Sequence, residues 1–190
     1  MMRFPMRWIV TGIMIIVVSN IGSIHAADLK DGFMGIPWKT DLSASSDFVR
    51  IDAEGGISNF IKPAVIHTIG DVKIYPVVYS CFENEFFGVY FQNDIIIFSR
   101  LRTYFNDKYG TSRTISRMNP SRTIHTWNHH DAKISLKLNR ETGKLKLSIY
   151  YTPLSEQVNE QRLEAAQENT RRFLDRIDKD RAIEMFDMMR

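Results

Sequence analysis

His125, His129, His130 and Asp131 fall within seven positions, and their side chains are of the types that ligate transition metals or move protons. Three imidazoles and a carboxylate make a donor set for zinc or copper if the chain brings them to one point. Their spacing opposes this. In an extended segment rising about 3.3 Å per residue, His125 and His129 stand roughly 13 Å apart, and His129 and His130 point to opposite faces. Only a tight turn over Asn128 to Asp131 would let two of them share an ion, so the segment reads as a surface turn and no metal is expected.

Other reactive groups are equally isolated. The single cysteine, Cys81, sits beside Phe82 in an apolar run and reads as a small buried hydrophobe rather than a redox group. With no second cysteine there is no internal disulfide, so stability has to come from packing. Glu83 and Glu85 occupy an expected hairpin turn, where a carboxyl is solvated rather than desolvated as general acid catalysis requires. No phosphate-binding glycine loop, HExxH or GxSxG occurs in the sequence. A Ser-His-Asp site would have to be assembled from scattered residues. No enzyme and no cofactor are expected on these grounds.

The elements that would position such residues begin after a leader. Met1 to Arg7 is short and basic, Trp8 to Val18 is apolar, and Ser19 to Ala26 turns small and polar, the layout of an export signal cleaved after Ala26. The apolar run is shorter than a membrane-crossing helix needs, so no stable transmembrane span is expected after cleavage. The expected destination is the periplasm. Of 190 residues, 44% are hydrophobic and 25% charged, the mixture of an ordinary globular domain. Removing Arg3 and Arg7 with the leader takes the formal charge from +3 to +1, which is no footprint for nucleic acid.

Residues 27–70 are rich in glycine and proline and read as mostly loop, with Thr40 capping a short helix over Asp41 to Val49. Asp71 to Phe82 and Phe86 to Gln92 read as two strands of a hairpin, with Pro76 pushing the first toward an edge or bulge. Asn93 or Asp94 caps a helix over 94–109, with Ile97, Leu101, Tyr104, Phe105 and Lys108 at helical spacing and Gly110 ending it. Thr123 to Asn128 is a short strand. Ile134, Leu136 and Leu138 then alternate with polar residues, as do Leu145, Leu147, Ile149 and Tyr151, around a turn at Arg140 to Gly143. Trp38 and Trp127 belong to the core.

After Pro153, residues 154–190 carry neither glycine nor proline and form a charged helix. Leu163, Ala166, Thr170, Phe173 and Ile177 make a helical stripe of about two heptads before Asp180 and Glu184 interrupt it, too short for a sustained coiled coil. A second apolar cluster, Ile183 to Met189, reads as a docking surface or a fraying end.

The expected architecture is α+β: an antiparallel sheet of about four to six strands with one packed helix in 27–153, followed by a long C-terminal helix in 154–190. Charge is polarised along it. Residues 27–99 carry a net −5, residues 100–153 a net +8, and the tail −2. On the closing hairpin Lys137, Lys144 and Lys146 share the polar side of the strands with Tyr150, giving a basic face with an aromatic member.

Gly32-Phe33-Met34-Gly35-Ile36-Pro37-Trp38, the central hairpin, Lys108-Tyr109-Gly110, Trp127, Tyr150-Tyr151-Thr152-Pro153 and the charged tail helix together resemble a loose group of small exported bacterial proteins without assigned function. Lys39 departs from that group, which usually has Gly after the Trp. The resemblance implies an exported α+β domain and carries no catalytic residue across. The expected function is therefore that of a non-catalytic binding or adaptor protein of the bacterial cell envelope. It would hold an envelope protein or anionic envelope component through Lys137, Lys144, Lys146 and Tyr150, or through Phe173 and Ile177 on the tail. The alternative is a small-ligand or metal-binding periplasmic protein centred on Tyr75, Tyr79 and Tyr90 or on the histidine turn.

Overall fold

A computed structural model describes residues 29–116 and 121–188 and, of these, every side chain except those at 116, 173–175 and 177–188. The leader with its cleavage site, and the side chains of Phe173, Ile177 and the Ile183–Met189 cluster, lie outside the described residues.

In chain order, a two-stranded ribbon of β1 (Gly32–Phe33) and β2 (Ile36–Pro37) precedes the hairpin of β3 (Val49–Glu54) and β4 (Ile57–Ile61). A second small ribbon pairs β5 (His67–Ile69) with β6 (Val72–Ile74), and β7 (Val78–Phe82) then turns back as β8 (Glu85–Asp94). Helix α1 (Phe98–Tyr109) is followed by β9 (Arg113–Ser116), β10 (Arg122–His129), β11 (Ala132–Asn139), β12 (Lys144–Tyr151) and the long helix α2 (Thr152–Met188). Eight strands form one antiparallel sheet in the order β3-β4-β7-β8-β12-β11-β10-β9.

The alternating hairpin forms the middle of this sheet because its apolar residues stay in phase across three strands. Leu136 faces Leu147 across β11 and β12, and Leu147 faces Phe91 across β12 and β8. A strand's side chains alternate between faces, so this register sends Leu136, Leu147, Phe91 and their neighbours to one side. That side is closed by three covers: the N-terminal segment with Leu29, Phe33 and Leu42, the small ribbon with Ile69, Val72 and Ile74, and α1 with Leu101 and Phe105. Trp127 joins it, its ring 5.3 Å from Phe105 and its indole N–H donating to Asn106 Oδ1 and to the Gly110 carbonyl. Among the described residues the opposite face has a cover only at one corner, where Leu154 and Val158 of α2 pack on Ile57, Phe82 and Phe87.

The sheet exceeds the expected four to six strands because β3, β4 and β9 carry little periodic signal; all six residues of β3 are exposed. The expected helix over Asp41 to Val49 is a single 3-10 turn at Leu42–Ala44, capped by Asp41 rather than Thr40, after which the chain enters β3. The expected strand from Asp71 to Phe82 is split at Pro76 into β6 and β7. The helix starts later than Asp94, since β8 runs on to pair Asp94 with Lys144, and the β-branched run Ile95–Ile97 forms a 3-10 turn before α1. Trp38 is half-buried rather than core, stacked between Phe86 and Tyr151, with its N–H donated to the Leu29 carbonyl. Pro153 occupies the first turn of α2, where its missing N–H costs nothing.

Candidate functional site

The register puts Lys137, Lys144, Lys146 and Tyr150 on the same sheet face, the one α2 leaves largely open. Lys137 on β11 lies directly opposite Lys146 on β12, so two ammonium groups are cross-strand neighbours. Like charges in that position oppose strand pairing. Lys146 is half-buried, with its Nζ 4.1 Å from the centroid of the Tyr90 ring on β8. Burial, and secondarily the charge of Lys137, hold the Lys146 ammonium below the usual lysine range. Tyr90 is pushed in the opposite direction, its phenol raised by burial and then by Asp52 and Tyr150.

These residues line an open groove of about 560 Å³ that reaches from Ile57 on β4 to Ile115 on β9, with Val158, Asn159 and Arg162 of α2 along its side. A sheet whose second and eighth strands line one groove is curved, and the groove is its hollow. The floor is polar. Ser80 donates to Asn59 Oδ1 at 2.7 Å, and the Asn59 amide donates to Asp52 Oδ1 at 2.6 Å, which turns that carboxylate toward the amide. Ser148, flanked along β12 by Lys146 and Tyr150 on this same face at alternate positions, is fully buried, and among the described residues its hydroxyl has no hydrogen-bond partner. Lys144 stands apart at the rim, exposed and paired with Asp94 at 2.6 Å.

The other candidates do not converge. Tyr79 is completely buried on the closed face, where its hydroxyl meets His67 Nε2, while Tyr75 is exposed and Tyr90 lies in the groove. His125 is buried against Phe98, its Nδ1 hydrogen-bonded to Ser112 Oγ at 3.2 Å and Thr114 Oγ1 at 3.1 Å, hydroxyls that can serve either tautomer. Burial, then the charge of Arg102, hold its pKa below the ordinary imidazole value. A cation beside a buried histidine is the reverse of the carboxylate that orients a catalytic imidazole. The turn at His130, with φ of 50°, brings its ring 4.4 Å from that of His129 rather than leaving them on opposite faces. Among the described residues no group of three or more His, Cys, Asp or Glu is placed to hold a metal ion. The Cys81 thiol is buried and pushed up to about 11, far from a reactive thiolate.

Lys133, Asn59, Ser148 and Arg162 were not among the sequence candidates. Lys133 was within reach, because it continues the alternation of Lys137 and Asn139 on β11. Asn59, and Arg162 on α2, become neighbours of the hairpin only through the long-range order of the sheet and the packing of α2. Fold and site together define an α+β protein with a basic groove on the free face of an antiparallel sheet. Compared with protein-family models, with curated proteins and with solved structures, the chain finds no match. Among the described residues no helix is long and apolar enough to cross a membrane.

Proposed function

We propose that this is an exported, non-catalytic binding protein of the bacterial cell envelope that captures an anionic envelope component in the basic groove. One observation carries the reading: Lys137 and Lys146 face each other directly, and Lys146 is partly withdrawn from water over Tyr90. Facing lysines oppose the pairing of β11 with β12, and desolvating Lys146 adds to the cost, which its contact with the Tyr90 ring offsets only on one side of the ammonium. An anion seated between them removes both penalties. The leader-like N-terminus supports export.

The test is retention on immobilised dextran sulfate across a salt gradient. Lys137→Glu elutes at markedly lower salt than the unmodified protein, whereas Lys73→Glu, on the exposed side of the small ribbon, elutes with it. Equal elution of all three removes the groove from consideration. The second reading, a small-ligand protein, is favoured by the groove's volume, which lies within the range of small-molecule sites. It differs in expecting tight binding of a single compact anion.

A further inference from the structure

The groove does not end at the facing lysines. A second cleft of about 480 Å³ shares Lys137, Lys146 and Ile124 with it and continues past Arg122 and Asn139 to Thr142 in the β11–β12 turn. Along β11 alone the combined track runs from Lys133 to Asn139, roughly 20 Å at strand spacing. Cations recur along its length: Arg162 on the helix side, Lys133, the Lys137–Lys146 pair, and Arg122 in the cleft. Of the carboxylates nearby, Asp94 is paired with Lys144, while Asp52 accepts from the Asn59 amide and keeps its negative charge close enough to raise Tyr90, so the anionic groups of a ligand belong on the β11–β10 side of the track.

What such a track recognises is limited by its floor. Strands β7, β8, β12, β11 and β10 are each paired on both sides, so their backbone groups are spent in the sheet and recognition falls to side chains. Over this floor a peptide would bring N–H and C=O groups that meet no free backbone partner, the nearest open edge being that of the four-residue β9 at the groove's end. A bilayer is flat, and α2 walls one side of the hollow. Hydroxyls and amides at Asn59, Ser80, Thr126 and Ser135, with Tyr90 and Tyr150 among them, instead suit a ligand that is rich in hydroxyls, acidic at intervals, and has apolar ring faces.

We propose that groove and cleft form one continuous seat for an extended acidic glycan, a sugar chain bearing carboxylates or phosphates, with its anionic groups distributed over the Lys137–Lys146 pair and Arg122. This rests on the reading of the groove as the binding surface. Its test is calorimetric titration of the purified protein with galacturonate chains of one, three and six units, with a neutral maltohexaose, with polyglutamate of matched charge, and with phosphatidylglycerol vesicles. Lengthening the chain from three to six units tightens binding roughly tenfold, as a linked second contact does. Arg122→Gln abolishes that gain while leaving the three-unit affinity in place, Lys137→Gln weakens both lengths, and maltohexaose does not bind. If one unit binds as tightly as six, or polyglutamate or vesicles bind more tightly than the six-unit chain, the glycan track is overturned. The basic groove then still stands provided Lys137→Gln weakens whatever does bind. If no anion binds, both proposals fall.

Discussion

The two faces of the eight-stranded sheet are made by the same strands, one residue out of step, and they have opposite fates. On β11, Leu136 is completely buried beneath the covers of the closed face, and the next residue, Lys137, stands exposed in the hollow of the open one. Three separate segments of chain converge on the first face. Among the described residues the second receives only the opening turns of α2, and α2 itself is exposed from Asn159 through Arg172. The closed face is arranged for stability. The open face carries what stability does not ask for: facing lysines, a half-desolvated ammonium and a buried hydroxyl without a partner. That contrast, rather than any single motif, is the reason to place function on the open side.

The contrast is most severe at adjacent positions. Leu136→Ala, which empties a packed site, is expected to cost about 2–5 kcal/mol of unfolding free energy, whereas Lys137→Gln changes stability by no more than about 0.5 kcal/mol. Chemical denaturation of the two variants checks this, and a large loss from Lys137→Gln would contradict the assignment of the faces.

Acid acts on the closed face through its histidines. Burial, with Lys62 for His67 and Arg102 for His125, keeps both imidazoles below their ordinary pKa of 6.5. Below pH 6.5 the unfolded chain therefore binds protons that the folded chain refuses, so stability is fully present above that value and declines as pH falls toward the folded pKa. The midpoint of thermal unfolding followed from pH 7.5 to 5 shows this decline, and His67→Gln makes it shallower. A midpoint that rises on acidification would contradict it.

On the open face the effects are smaller and of opposite sign. Ser148→Ala removes a buried hydroxyl that pairs with nothing among the described residues, and it is expected to stabilise the free protein by about 1 kcal/mol. Destabilisation instead would mean that the hydroxyl is satisfied. Smallest of all, Lys39 is held at φ of 69° where the chain hydrogen-bonds Phe86, a left-handed conformation that suits glycine. Lys39→Gly should leave binding unchanged and raise stability by roughly 0.5 kcal/mol, since relief of the left-handed strain is partly offset by glycine's unfolded-state entropy.

Elements were legible in the sequence where one face is buried and the other wet. Leu136 and Lys137, Leu147 and Lys146 announce β11 and β12 by alternation, and Gly110 marks the end of α1 where a positive φ of 84° is needed. Val49–Glu54 gave no such signal, because a strand exposed along its whole length has no pattern to betray it. Ile95–Ile97 misled for a related reason: helical spacing continued into a segment whose first residues are claimed by strand pairing with β12. For the site, the polar side of the closing hairpin could be read, and with it Lys137, Lys146 and Tyr150. That Tyr90 lies under Lys146, and that Asn59 and Arg162 share the same hollow, depends on which strands and helix turns are neighbours. Local sequence carries no record of that order.

Competitive acetylation of lysines, read by mass spectrometry with and without saturating six-unit galacturonate, tests the contrast between the faces most directly. The account expects Lys137 and Lys146 to be protected together while Lys39 and Lys73 label as before. Uniform labelling with ligand bound, or protection confined to lysines outside the groove, would contradict it.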